Sequence, residues 1–520
     1  MSTQLAEERS DHRRRVLGAH ADRARTLERL QSETFDLLVV GAGIIGARVA
    51  EEATRAGANV ALVDAGDFGG ATSSASSKLV HGGLRYLEMH DLRLVFEAHH
   101  ERLALLTRIA PHLVKRLEFV VPVYQGGPHG LAAIAAGMFV YAGLSGFRQT
   151  RAAIMSPTGA QRYIPPIRTE GMIAAGLYSD AQTYDSRLVL ATVTAAARGG
   201  AAVANYTRVD ELLQEHGRIV GARAGELEIR AHAVVNAAGP WVDQVRRLED
   251  AGADRMARLS KGVHLVLDAP GPWDAAITTQ LPGGRVSFAI PWEGMLLLGT
   301  TDTEYDGDPD QVACEPEDET QILEEAGRSL PRGVIAPDRI RYRFAGLRVL
   351  AQGQGRGRAS TSATSRDEVI RVGPKGMVSV AGGKLTTHRE IAARVLRHVD
   401  RFHDQRVTDV PLPGAGPSPP RPADCPPQVW DHLTHLYGVE ALMIADSGRL
   451  DPIHPAGTDV WGQVVYAIDQ EWAQSVEDIV RRRTTLEIRG QATPEIRQQI
   501  DAMLPGRGKQ APRTRARARR

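Results

Sequence analysis

Between residues 35 and 64 the spacing of apolar and polar positions changes twice. Residues 35–40, FDLLVV, form a short apolar run that breaks into Gly41-Ala-Gly43-Ile-Ile-Gly46. Residues 45–56 turn helical in composition, and a second apolar run over 59–63 stops at Asp64. The pattern predicts strand, glycine turn, helix, strand. Further on, a helical pattern over 92–110 ends at Pro111, and a helix follows Ser186. A strand is expected at 202–206, a hairpin over 218–230, and an apolar strand at 233–236 that runs into the small-residue turn Ala237-Ala-Gly239-Pro-Trp241. Residues 261–345 alternate in the manner of an antiparallel sheet, with KGVHLVL, VSFAIPW and MLLLGTTD as its clearest strands. A last strand from Met377 stops at Gly382-Gly383 and opens a helix reaching about His398.

These elements imply an α/β chain with discontinuous domains. Residues 33–117, 186–260 and 340–400 are assigned to a Rossmann-like nucleotide-binding domain, and residues 118–185 and 261–339 to a second domain built on an antiparallel sheet. Residues 401–427 read as a proline-rich linker, 428–505 as a helical C-terminal domain, and 506–520 as a tail with seven basic residues and no acid. Residues 130–147, GLAAIAAGMFVYAGLSGF, are uncharged, but they are mostly Ala and Gly and predict a packed internal helix rather than a span.

The first turn carries recognisable chemistry. Gly41 permits a tight turn, Gly43 lets the backbone approach a pyrophosphate, and Gly46 lets the helix lie close to the strand. The helix N-terminus then offers N–H groups to phosphate, and Asp64 is placed to accept from ribose hydroxyls. Set between a strand and a helix, this is a dinucleotide fingerprint in its proper context. The Gly/Ser-rich residues 66–78 follow at once and are read as a loop wrapping the cofactor rather than a linker.

Lys and Arg number 63 against 62 Asp and Glu, which argues against a nucleic-acid protein with a global positive field. The two cysteines, Cys314 and Cys425, are far apart and lack metal-ligand spacing, so neither a disulfide framework nor a cysteine metal site is expected, and a reducing, intracellular compartment is. Residues 1–32 lack the apolar stretch of a secretory signal and read as a surface helix entering the first strand.

Several segments together resemble the FAD-dependent glycerol-3-phosphate dehydrogenases: the glycine turn, ATSSASSKLVHGGLRYLE from Ala71, NAAGPWV from Asn236, KGVHLV from Lys261, GTTDTEY from Gly299, FAGLRVL from Phe344, SRDEVI from Ser365, AGGKLTTHRE from Ala381 and EWAQSVEDIVRRRTTL from Glu471. They keep the family's order over about residues 33–490. The resemblance implies non-covalent FAD, a substrate domain and a helical C-terminal domain. It also implies oxidation of sn-glycerol 3-phosphate to dihydroxyacetone phosphate, with electrons passed to a membrane quinone. Members sit peripherally on the inner, cytoplasmic face of the cell membrane, and many are homodimers.

By that resemblance Arg85, Tyr86, Thr301, Arg348, Arg366 and Lys384 bind the substrate, and fixed cations suit its phosphate. His264 is the candidate base, with Arg348 able to share the role by stabilising the alkoxide. Gly41, Gly43, Gly46, Asp64, Ala71, Thr72, Ser73, Ser74, Ser77, Gly239, Gly383, Lys384 and Leu385 fall at cofactor positions, and the helix after Gly383 would aim its N-terminus at the flavin. The family often has proline after the arginine matched by Arg348, whereas this chain has Val349 and then a less rigid Gly/Ser-rich stretch, so the exact placement of Arg348 is left open. Alternative readings are an oxidase of the same substrate that uses oxygen, or another FAD-dependent amine or hydroxy-acid oxidase. The set of four cations disfavours the latter.

Overall fold

A computed structural model describes residues 23–82, 92–144, 152–352 and 368–505. Arg85, Tyr86, Arg366 and the basic tail therefore lie outside the described residues. Six strands form the nucleotide-binding sheet in the order Val369–Val372, Val378–Ala381, Val234–Asn236, Leu37–Val40, Val60–Val63 and Ala202–Ala204. All pair parallel except Val369–Val372. The strand Leu37–Val40 is buried at every position, as expected for a parallel strand covered on both faces. Helices Ile44–Arg55, Asp185–Arg198 and His388–Leu396 contribute to its main apolar core.

The helix Ile44–Arg55 is buried nearly all round, although Arg48, Glu51 and Glu52 lie on it. Arg48 pairs with both acids inside the protein, and Thr408 covers them by accepting from Arg48 through its carbonyl and donating to Glu52 through its hydroxyl at 3.0 Å. Thus part of the expected linker, 401–427, is packed structure; Leu412 is also buried, and its N–H donates to the Ile109 carbonyl. A charged helix face needs such partners, because an unpaired buried charge costs several kcal/mol or more.

The second sheet has ten strands among the described residues and is mostly antiparallel. Its longest pairing joins Ala257–Asp268 to Ile340–Ala351. That pairing corrects the assignment of residues 340–351, which belong with this sheet rather than the nucleotide-binding one. It also settles the context of Arg348, which lies opposite Ser260 in a continuous strand. Leu79–Val80 likewise joins this sheet, through Met172–Thr183.

The apolar segment forms the helix Leu131–Leu144 over Met172–Thr183, close enough that a side chain at Gly176 would strike Met138 Sδ at 2.3 Å. The Tyr141 hydroxyl donates to Asp180 at 2.7 Å. The expectation of an internal helix holds for one face only, since Phe139 is 66% exposed. Among the described residues no helix is long and apolar enough to cross a membrane.

The C-terminal helices dock on both sheets. Helix Pro427–Tyr437 places His432 Nε2 2.9 Å from Asp459, with Glu293, from the turn between two strands of the large sheet, 3.7 Å from Nδ1. Burial opposes charging His432, but the two carboxylates outweigh it and push the imidazole up to about 9. With the folded value above the unfolded one near 6.5, this stabilisation is complete below pH 6.5 and lost as pH rises through 9. His432→Gln is therefore expected to lower the urea midpoint most at pH 6, by a free energy on the order of 3 kcal/mol. The deficit should shrink towards pH 10, and a deficit independent of pH would show that the imidazole is uncharged.

Candidate functional site

The glycine turn is built as its sequence requires. Gly41 has φ +100°, and a Cβ there would lie 2.6 Å from the Ala237 carbonyl oxygen. A Cβ at Gly46 would meet the Gly41 carbonyl oxygen at 1.9 Å, so helix and turn touch backbone to backbone. Asp64 accepts from the N–H groups of Ala42 at 2.6 Å and Gly66 at 2.9 Å, which ties the turn to the end of the second strand. Burial pushes Asp64 up to about 6 against the pull of those two N–H groups. A ribose hydroxyl donated to this carboxylate would hold it ionised.

Two cavities meet at Gly43, Thr72, Ser73, Ala237 and Gly239. One, of about 620 Å³, runs over Gly41, Asp64 and Ala71. The other, of about 250 Å³, is walled by Ser77, His264, Arg348, Gly383, Lys384 and Leu385. The pair suits an extended dinucleotide, with its adenosine half in the first and its reactive ring in the second. The close-packed glycine turn and the acid beside it fit FAD.

The reactive wall comes from the loop 71–77 pressed on the large sheet. The Thr72 hydroxyl donates to the Leu347 carbonyl at 2.7 Å, and a Cβ on Gly346 would meet the Ala75 carbonyl oxygen at 2.7 Å. Gly262 is paired with Gly346, and a Cβ there would strike the Arg348 guanidinium at 2.5 Å. Small residues on both strands thus make room for loop and cation. Arg348 donates to the Thr301 carbonyl at 3.1 Å and the Thr300 hydroxyl at 2.8 Å, and it stands 3.5 Å from Asp302.

His264 is 3% exposed, stacks on Phe344 with ring centroids 4.9 Å apart, and has Nε2 2.9 Å from the Ser77 hydroxyl. Its Nδ1 is buried without a partner among the described residues. Burial, then the charges of Arg348 and Lys78, hold the imidazole well below its ordinary value, so it is neutral at pH 7. Lys78 is itself fixed by Asp185 at 2.6 Å and by the Ser74 carbonyl at 2.7 Å, and the same carboxylate accepts from the Ser76 hydroxyl at 2.7 Å.

Three expectations change. Thr301 is fully buried and outside both cavities; its hydroxyl accepts from the Val263 N–H at 3.0 Å and its carbonyl holds Arg348, so it positions the cation rather than touching substrate. Ser74 also stands behind the cavity wall, where its carbonyl holds Lys78, while Gly46 serves as expected by letting the helix pack on the turn. The helix expected right after Gly383 starts at His388, and the turn 382–386 lines the cavity instead. Sequence reasoning missed Lys78, Asp185, Gly262, Gly346 and Phe344. The glycines and Phe344 sit inside quoted motifs, but nothing local ties Asp185 to Lys78.

Comparison with known proteins agrees with this geometry. Residues 36–424 match the family described as FAD dependent oxidoreductase, and residues 378–507 match the C-terminal domain of alpha-glycerophosphate oxidase. The chain is 34% identical over 397 residues to the aerobic glycerol-3-phosphate dehydrogenase of Bacillus subtilis, covering 75% of this chain and 71% of that protein. It is 35% identical to glycerol-3-phosphate dehydrogenase 2 of Mycobacterium tuberculosis, covering 90% and 84%. The structure is similar to that of a Bacillus halodurans glycerol-3-phosphate dehydrogenase complexed with FAD, with TM-score 0.72, 26% identity, and 93% and 96% of the two chains covered.

Gly43 tests the cofactor assignment directly, since its Cβ position is already 3.2 Å from Ser73 Oγ, whose hydroxyl accepts from the Ile44 N–H at 3.0 Å. Gly43→Val is expected to purify folded but without flavin absorbance; full FAD occupancy in that variant would remove the turn from the cofactor site.

Proposed function

Because this chain belongs to the FAD-dependent glycerol-3-phosphate dehydrogenase family, we propose that it oxidises sn-glycerol 3-phosphate to dihydroxyacetone phosphate and passes the electrons to a membrane quinone. The observation that carries the reading is one cavity lined by a neutral imidazole, His264, by the cation Arg348 and by the turn 382–386 with its Lys384. FAD, when bound, accepts the hydride that leaves the carbinol carbon.

The protein's own groups deal with the proton and the phosphate. With a hydrogen on the buried Nδ1, His264 Nε2 is left as an acceptor that now takes the Ser77 hydroxyl, and the substrate hydroxyl displaces it and gives up its proton there. Arg348, held rigid by Thr300 and Thr301, supports charge on the substrate oxygens with little ordering cost. Lys384 supplies a second charge at the opposite wall.

In the test, substrate-dependent bleaching of the flavin is followed anaerobically and then under a quinone or air. Glycerol 3-phosphate should bleach it far better than glycerol, and quinone should reoxidise it faster than oxygen. Peroxide formed at the full turnover rate would favour the oxygen-using alternative instead. His264→Asn should lose roughly 10²–10⁴-fold in turnover. A base at its ordinary value would give an acid limb in kcat/KM at pH 6.5; with His264 depressed, the enzyme's limb falls below that, leaving only the substrate phosphate to titrate near pH 6. An enzyme limb at or above 6.5 would remove His264 as the base.

A quinone acceptor requires contact with the membrane, and we propose peripheral binding at its cytoplasmic face. The basic residues of 507–520 support this, as do the exposed apolar side chains Phe96, Phe139 and Val140. The run Arg481–Arg483 offers no comparable basic face, because Arg482 and Arg483 are buried. Deleting 507–520 should weaken salt-sensitive binding to anionic vesicles while leaving dye-linked activity intact. Unchanged binding would move the contact to the apolar helix face.

A further inference from the structure

Two arginines that the hydride-transfer site does not use sit in a buried cluster between domains. Arg482 and Arg483 both pair with Asp67, three residues beyond Asp64 in the loop that follows the second strand. Arg482 also donates to Asp478 at 2.8 Å, and Asp478 accepts from the Tyr206 hydroxyl at 2.6 Å. These bonds use Arg482 Nε and one Nη, and the other Nη has no partner among the described residues. Although it belongs to the C-terminal domain, Arg482 lines the adenosine-side cavity together with Gly41, Asp64 and Tyr206. The cavity's other cation, Arg208, is exposed at its rim, while Arg482 is only 8% exposed. Trp241, on the same wall, buries an indole N–H that has no partner among the described residues.

We propose that Arg482 is an FAD-binding residue contributed by the C-terminal domain, which donates to the adenosine diphosphate half of the cofactor and so completes the dinucleotide site. A guanidinium already immobilised by two carboxylates loses little freedom on meeting a phosphate or ribose oxygen, and its N–H donors suit those acceptors. Its charge offsets Asp64 and Asp67, which otherwise leave this end of the cavity acidic. Docking of the C-terminal domain and retention of FAD are therefore coupled. The inference rests on the FAD reading of the glycine turn.

The test is FAD affinity, measured by flavin fluorescence on the full-length apo-protein. Arg482→Gln leaves Asp67 paired with Arg483, bonded at 2.8 Å, and leaves Asp478 accepting from the Tyr206 hydroxyl at 2.6 Å and from the N–H groups of Gln474 at 2.8 Å and Ser475 at 2.9 Å. The variant is expected to bind FAD about tenfold or more weakly, the loss of one charge-assisted bond, and ADP should lose competing power by the same factor. Arg482→Lys, which keeps a charge, should recover part of the affinity. As a control, Tyr184→Phe removes an interdomain bond to the Thr484 carbonyl, 2.8 Å, at a residue outside both cavities. Unchanged FAD and ADP affinity in Arg482→Gln would overturn the proposal, and so would an equal loss in Tyr184→Phe, which would reduce Arg482 to a docking contact. A parent protein that binds no FAD would instead overturn the reading of the turn itself.

Discussion

The structure hangs on the close approach of the loop 71–77 to the paired strands Ala257–Asp268 and Ile340–Ala351. Gly346 admits the Ala75 backbone and Gly262 admits the Arg348 guanidinium, so the loop that follows the nucleotide-binding strand Val60–Val63 lies directly on the antiparallel sheet. A side chain at either position would push the loop off or drive the cation away. The loop 71–77, His264 and Arg348 consequently share one wall, and their relative positions are set by backbone contact rather than by flexible side chains.

Charge burial then decides how the site behaves. Lys78, Asp185 and Ser76 form a chain of polar contacts beside Ser77, whose hydroxyl meets the imidazole, and the positive charges of Arg348 and Lys78 add to desolvation in keeping His264 neutral. A neutral imidazole is the form able to take a proton, so the same burial that would cost stability to a charged group is turned to use. On the other side of the dinucleotide-binding region, Asp67 is satisfied by two arginines from more than four hundred residues away. An acid so deeply buried would be untenable alone, and its partners bind the C-terminal domain to the first loop of the fold. Phe68 against Trp472, with ring centroids 5.5 Å apart, adds an apolar contact at the same junction.

The sequence by itself determined what is local. The glycine turn with Asp64, the alternating strands, the helical C-terminal region and the quoted motifs were all legible, because backbone freedom and side-chain period act over a few residues. His264 and Arg348 were legible only as members of motifs. Tertiary structure alone decided which side chains reach the cavity: Thr301 turned inward to brace Arg348, the turn 382–386 took the place expected of a helix end, and the strand holding Arg348 joined the other sheet. It alone paired Lys78 with Asp185 and Asp67 with Arg482, since a buried charge finds its partner by packing across the fold, and no spacing along the chain encodes that distance.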